Sequence, residues 1–185
     1  GQFRAPLDPI DPVALLDRLS QIESFERFLH RAFQAKTRFS IEGLDMTVPI
    51  LDEIIGDAAE AGASSMFIGM AHRGRLNIMA HVLNKPYAQI LAEFKDPLIK
   101  DHFQEDMSWT GDVKYHAGAH RAIRNGREMH MVVSMPPNPS HLEAVDPVVV
   151  GMARAAGTTV DQAGPATFDP TRSIPVLIHG DAAFP

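Results

Sequence analysis

The chain has 185 residues, 45% of them hydrophobic and 22% charged, enough for one sizeable soluble domain with a real core. Its formal charge of −6 comes from 23 acidic against 17 basic side chains, which gives no global attraction to nucleic acid or to an anionic membrane. Without a cysteine there are no disulfides, no thiolate catalysis and no cysteine-ligated zinc or iron–sulfur site, and no apolar run has the length of a membrane span or the flanks of a signal peptide.

Residues 1–12 carry three prolines and no periodicity, and read as a linker. From residue 13 to about 34, Leu15, Leu16, Leu19, Ile22, Phe25, Phe28, Leu29 and Phe33 recur at helical spacing, so an amphipathic helix with a core-facing stripe is expected. Residues 1–35 are therefore read as linker plus helix, and 36–185 as an α/β domain. Gly43 marks a turn, a second helix is expected over about 47–61, and Gly62 stops it.

"SSMFIGM" (64–70) has strand length, after which "AHRGRLNIMAHVLN" changes to helical spacing. "PYAQILAEFK" (86–95) opens on Pro86, suited to a first helical turn. Residues 96–120, with Trp109, Gly111, Lys114 and His116, read as loop-rich. "EMHMVVSM" (128–135) is a second strand. Ser140 three residues before Glu143 has the pattern of a capping box, and Asp146-Pro147 that of a further helix start. A loop over 157–173 leads to a last strand at 174–179. Strands separated by helices predict an α/β fold, a parallel sheet flanked by helices.

In such a sheet ligands bind beyond the carboxyl ends of the strands, where "HRGR" (72–75), "NPSH" (138–141) and "HGD" (179–181) all fall. Gly74 allows a tight turn, and Arg73 and Arg75 offer forked donors to a carboxylate or phosphate, unless they pair with surface acids. If "GDVKYHAG" is extended, Lys114 and His116 share a side, and a neutral His116 can exchange a proton or bond a carboxylate. His141 faces a ligand or dresses a helix start. Gly180 permits close approach of a diphosphate, and Asp181 can hold a hard cation such as Mg²⁺; a plain strand-to-loop turn is the alternative. A zinc site from His72, His116, His141 and His179 is disfavoured, since no pair has compact metal-site spacing.

Five segments in order, "RFSIEG" (38–43), "GMAHRGRLN" (69–77), "GDVKYHAG" (111–118), "NPSHLEAVDPVV" (138–149) and "IHGDAAF" (178–184), resemble the E1 component of 2-oxoglutarate dehydrogenase. The resemblance covers most of 36–184 and implies part of a thiamine-diphosphate-binding fold. It implies that the complete enzyme decarboxylates 2-oxoglutarate on thiamine diphosphate held through Mg²⁺. It also implies a homodimer, and transfer of the succinyl unit to the lipoyl group of an E2 succinyltransferase. Asp181 then matches the metal ligand, and Arg73, Leu142, Ala182 and Ala183 match cofactor contacts. His72, His116 and Ser140 match the reacting end of the substrate, with His141 beside them. The family's cofactor signature runs on from "GD" to an asparagine, whereas nothing follows Pro185. The expectation is thus a portion of a larger enzyme, inactive alone, in a bacterial cytoplasm or a mitochondrial matrix. Two alternatives stand beside it: a 2-oxoadipate dehydrogenase E1, whose substrate is one methylene longer, and a non-catalytic anion-binding or assembly module.

Overall fold

A computed structural model of the chain describes residues 10–34, 36–94, 112–125, 128–161, 163–180 and 183. The first helix, α1 (Pro12–Ala32), starts where Asp11 accepts a hydrogen bond from the Val13 amide at 2.8 Å and Pro12 fills the first turn. Of the expected stripe, Ile22, Phe25 and Leu29 are buried, while Leu16 and Phe28 stay exposed. Those three, spaced by three and four residues, form the one face that meets the rest of the core. The α1 side chains join the same hydrophobic cluster as the sheet. α2 (Thr47–Glu60) buries Val48, Leu51, Ile55 and Ala58 and ends two residues before Gly62, as its spacing predicts.

The main sheet has the order β2-β3-β1-β6. β1 (Ser65–Met70) lies at its centre, parallel to β3 (Glu128–Met135) and to β6 (Ser173–Ile178), so the three expected strands are present and mutually parallel. β2 (Ala119–Asn125) is an unforeseen antiparallel edge strand, which makes the sheet mixed. Its sequence, "AHRAIRN", lacks an apolar run because only Ala119 and Ile123 pack toward the core. The helix α5 (Asp146–Ala156) covers β1 and β6. It comes close because Gly69 has no side chain: a Cβ there would stand 3.0 Å from Val149 Cγ2 and 3.2 Å from Leu177 Cδ2. The expected loop over 157–173 contains a two-stranded ribbon, β4 (Thr158–Thr159) with β5 (Thr167–Phe168).

After β1 the chain makes one short helical segment, α3 (Arg75–Asn77), which widens into a π-helical turn over Ile78–Val82. All eight of these residues are buried, so the apolar spacing seen in the sequence is that of a core element. α4 (Tyr87–Ala92) follows Pro86, shorter than the expected 86–95, with residue 95 outside the described residues. Most of 96–120, including Trp109 and Gly111, is likewise outside them. Two polar clamps tie the helices to this turn. Arg18 of α1 bonds Asp52 of α2 through two nitrogens, at 2.7 and 3.0 Å, and donates to the His81 carbonyl at 2.7 Å. Glu26 accepts from Asn77 Nδ2 at 2.7 Å and from the Ile41 amide at 3.3 Å, which fixes the 38–43 segment against the sheet.

Gly74 has φ +78°, and a Cβ there would sit 2.9 Å from Ile41 Cγ1. Gly56, inside α2, has open space around its missing Cβ. Urea unfolding should therefore find Gly74→Ala less stable by about 1–3 kcal/mol and Gly56→Ala more stable by about 0.5–1 kcal/mol.

His81 is buried against Phe25 and Tyr87, and its Nε2 has no hydrogen-bond partner among the described residues. Burial, helped by the Arg18 charge and opposed by Asp52, lowers its pKa from 6.5 to about 4. The unfolded chain binds this proton more readily than the native one. The His81 contribution to stability is thus complete above pH 6.5, falls as the pH drops toward 4, and is gone below that. Unfolding free energies measured between pH 7 and 4 should show this loss, and a His81→Leu chain should show a slope shallower by up to about one proton.

Candidate functional site

The carboxyl ends of β1, β3 and β6 open into one cavity of about 440 Å³, the crevice expected for a parallel sheet. β1 delivers His72 and Arg73 to its wall, the turn after β3 delivers Asn138 to Glu143, and β6 delivers His179 and Gly180. Phe39 closes it from the 38–43 segment, Asp146 from the first turn of α5, and Ala183 also lines it. Of the three segments that sequence spacing placed at one end of the sheet, His72 and Arg73, Asn138 to His141, and His179 and Gly180 are therefore together.

His116 reaches the same place from the turn before β2, with Nε2 3.0 Å from Ser140 Oγ. Which atom donates depends on the imidazole tautomer. The His72 ring lies with its centroid 5.1 Å from that of His116, 5.5 Å from Tyr115 and 5.1 Å from Phe39. His72 thus stands on an aromatic floor and carries His116 beside it, and that floor is tied down where the Phe39 amide donates to the Tyr115 hydroxyl at 3.2 Å. His141 and Leu142 are exposed at the rim of the cavity. Asp181 and Ala182 lie outside the described residues. Among the described residues no three His, Asp or Glu side chains are grouped to hold a metal ion.

Three expectations are corrected. Arg75 is not a fork for an external anion: its side chain is fully buried, and it donates to the carbonyls of Met70 (3.4 Å), Ala117 (2.9 Å) and Pro136 (2.9 Å). Burial lowers its pKa to about 10, so it stays cationic at neutral pH. Arg73, by contrast, is exposed at the cavity and uses one nitrogen on the Glu42 carbonyl at 2.7 Å. The second correction concerns Ser140 and Glu143, which form no capping box. Glu143 has φ +67°, Ser140 turns its hydroxyl to His116, and the helix begins only at Asp146. The third concerns Lys114. Residues Asp112–Tyr115 form a 3₁₀ turn rather than an extended segment, and Lys114 packs its ammonium 4.8 Å from the Phe94 ring centre, away from the cavity.

Two polar contributors were not singled out in the sequence. Asn138 is buried, donates from Nδ2 to the Met70 carbonyl at 3.1 Å, and keeps Oδ1 without a partner among the described residues. Asp146 places a carboxylate oxygen 3.5 Å from His179 Nδ1. The Asp-Pro pair signalled a helix start, which holds, but not that this start would look into the cavity.

No family model matches the chain. Individual relatives do. The chain is 50% identical over 191 residues to the 2-oxoglutarate dehydrogenase E1 component of Geobacillus sp. (strain WCH70), a match that takes in 100% of the chain. It is also 50% identical to the proteins of that name from Bacillus subtilis (strain 168), over 178 residues, and Bacillus mycoides (strain KBAB4), over 185. This chain is a homologue of the 2-oxoglutarate dehydrogenase E1 components. It spans about a fifth of their length, 19–20% in these three. The α/β fold, with mostly parallel strands and a crevice at their carboxyl ends, is consistent with part of a thiamine-diphosphate-binding domain. Among the described residues no helix is long and apolar enough to cross a membrane.

Proposed function

We propose that this chain forms one wall of the catalytic pocket of a 2-oxoglutarate dehydrogenase E1 component. The observation that carries the reading is the meeting of Arg73, His72 and Ser140 at one cavity, with His116 in hydrogen-bond contact with Ser140, in a chain half identical to enzymes of that name. A dicarboxylate substrate and a diphosphate cofactor both need charge-assisted hydrogen bonds, and this wall offers an exposed guanidinium, several imidazoles and a hydroxyl. Apolar surface from Phe39, Leu142 and Ile178 suits the organic rings of such a cofactor, and the unpartnered Asn138 Oδ1 at the cavity calls for a donor. The donor set therefore fits thiamine diphosphate.

In this reading Arg73, Leu142, Ala182 and Ala183 hold the cofactor, and Asp181 holds its Mg²⁺. Bound there, thiamine diphosphate supplies the electron sink that 2-oxo acid decarboxylation requires. His116 and Ser140, already 3.0 Å apart, orient the 2-oxo acid, with His141 at the rim and His72 beside His116 on the cavity wall. A neutral imidazole bonded to a hydroxyl can donate or accept a hydrogen bond at a carbonyl oxygen, which would suit a site that holds a 2-oxo acid while its carboxylate is lost as CO₂. The succinyl unit then goes to the lipoyl group of an E2 succinyltransferase, and two E1 subunits make the working unit. Since the chain spans about a fifth of its relatives, it is expected to show no turnover by itself.

The test uses a polypeptide of the relatives' length that carries this segment, with thiamine diphosphate, Mg²⁺ and either 2-oxoglutarate or 2-oxoadipate. His116→Ala and Ser140→Ala should each lower kcat/KM for 2-oxoglutarate about 10- to 150-fold, the worth of one hydrogen bond to a charged group. Arg73→Ala should mainly raise the cofactor concentration needed for half activity. Unchanged kcat/KM in both of the first two variants, preference for the longer acid, or turnover by the 185-residue chain alone would each count against the proposal.

A further inference from the structure

A hydrogen bond between two side chains from different loops is only as well defined as the loops themselves. His116 lies in the turn between the 3₁₀ segment and β2, and Ser140 lies five residues past the end of β3. Neither is in a helix or strand. What fixes these loops is a small polar hub beneath them. The Arg75 guanidinium donates to Ala117 O, next to His116, and to Pro136 O, the first residue after β3, both at 2.9 Å. Its other terminal nitrogen reaches Met70 O, at the end of β1 and two residues before His72. Asn138 closes the ring, with its amide N donating to His116 O at 3.1 Å and its Nδ2 to the same Met70 carbonyl. Arg75 itself is aimed by Gly74, whose left-handed turn brings the chain back under the strand end.

We propose that Arg75 is a positioning residue of the candidate site: its buried guanidinium joins the Met70, Ala117 and Pro136 carbonyls, and so sets the approach of His116 to Ser140. The proposal rests on the catalytic reading for its purpose, although its geometry does not. Only arginine offers a planar fork with donors on both terminal nitrogens, able to satisfy three carbonyls from three segments. A lysine at this position keeps the charge on a single nitrogen and cannot span all three. The expected consequence is a loosened pair of loops above an intact sheet.

Nitrogen-15 imidazole spectra of the 185-residue chain, with no substrate or cofactor added, read this directly. Ser140→Ala should shift the His116 Nε2 resonance, which identifies the pair. Arg75→Lys should keep the helix and sheet signature by circular dichroism and move the His116 resonance in the same direction as Ser140→Ala. The exposed His120 should not move in either variant. A folded Arg75→Lys chain with the wild-type His116 signal would overturn the proposal. So would a Ser140→Ala chain in which His116 does not respond. Arg75→Gln serves as the second variant, and if neither replacement folds the proposal is also overturned, because the guanidinium then supports the whole core rather than the site. A wild-type His116–Ser140 signal in a chain whose longer form fails to turn over 2-oxoglutarate would remove the catalytic reading and leave this one standing.

Discussion

At the carboxyl end of the central strand, one guanidinium is enclosed by protein and bonded through its two terminal nitrogens to three carbonyl oxygens, with its Nε left without a partner among the described residues. Taking a cation out of water is expensive, and hydrogen bonds to a charged group return about 1.5–3 kcal/mol each only when their geometry is kept. The three carbonyls are equally dependent on it, since buried acceptors without donors would cost the fold in turn. The ends of β1 and β3 and the turn before β2 are therefore held in one arrangement, and His72, Arg73, Asn138 and Ser140 reach the cavity from the first two of them.

The rest of the molecule supports this hub in layers. α5 lies close on β1 because Gly69 leaves room, which brings Asp146 at its first turn to the cavity beside His179. The 38–43 segment is held from the other side by Glu26 of α1, and by the Gly74 amide donating to Phe39 O at 2.9 Å. Helix α1 thus contributes to the site although none of its residues touches the cavity. Its anchoring carboxylate is only 13% exposed, where a pair or network of hydrogen bonds is worth more than at the surface.

Much of this was legible in the sequence where the pattern is repetitive. The apolar runs at 64–70, 128–135 and 174–179 name the strands that pair in parallel, the expected helices match α1 and α2 within a residue or two, and Asp146-Pro147 marks where α5 begins. Edge strand β2 was missed because an edge buries little and its sequence alternates charge with small residues. Arg73 and Arg75 could not be told apart, since two residues of one type on either side of a glycine carry no mark of which turns inward. Ser140 and Glu143 obeyed a local rule for helix starts, but the hydroxyl was taken by His116, 24 residues earlier in the chain. Local spacing records local bonds, and the site is made of distant ones. Family resemblance supplied what spacing could not, by placing those segments in a set.

The five-residue π turn at Ile78–Val82 carries a consequence for how this segment tolerates change in length. A π turn is an α-helix with one residue too many, retained where the surplus is stabilised by its surroundings. Here Arg18 caps the carbonyl of His81 from outside. Deleting a single residue here would close the wide turn to an ordinary α turn and leave the later side chains near their present faces, whereas a deletion in a regular α-helix turns all that follows by roughly 100° about the axis. A one-residue deletion is thus better absorbed at this turn than elsewhere in a buried helix, and what it gives up is the surplus peptide unit whose neighbouring carbonyl Arg18 holds.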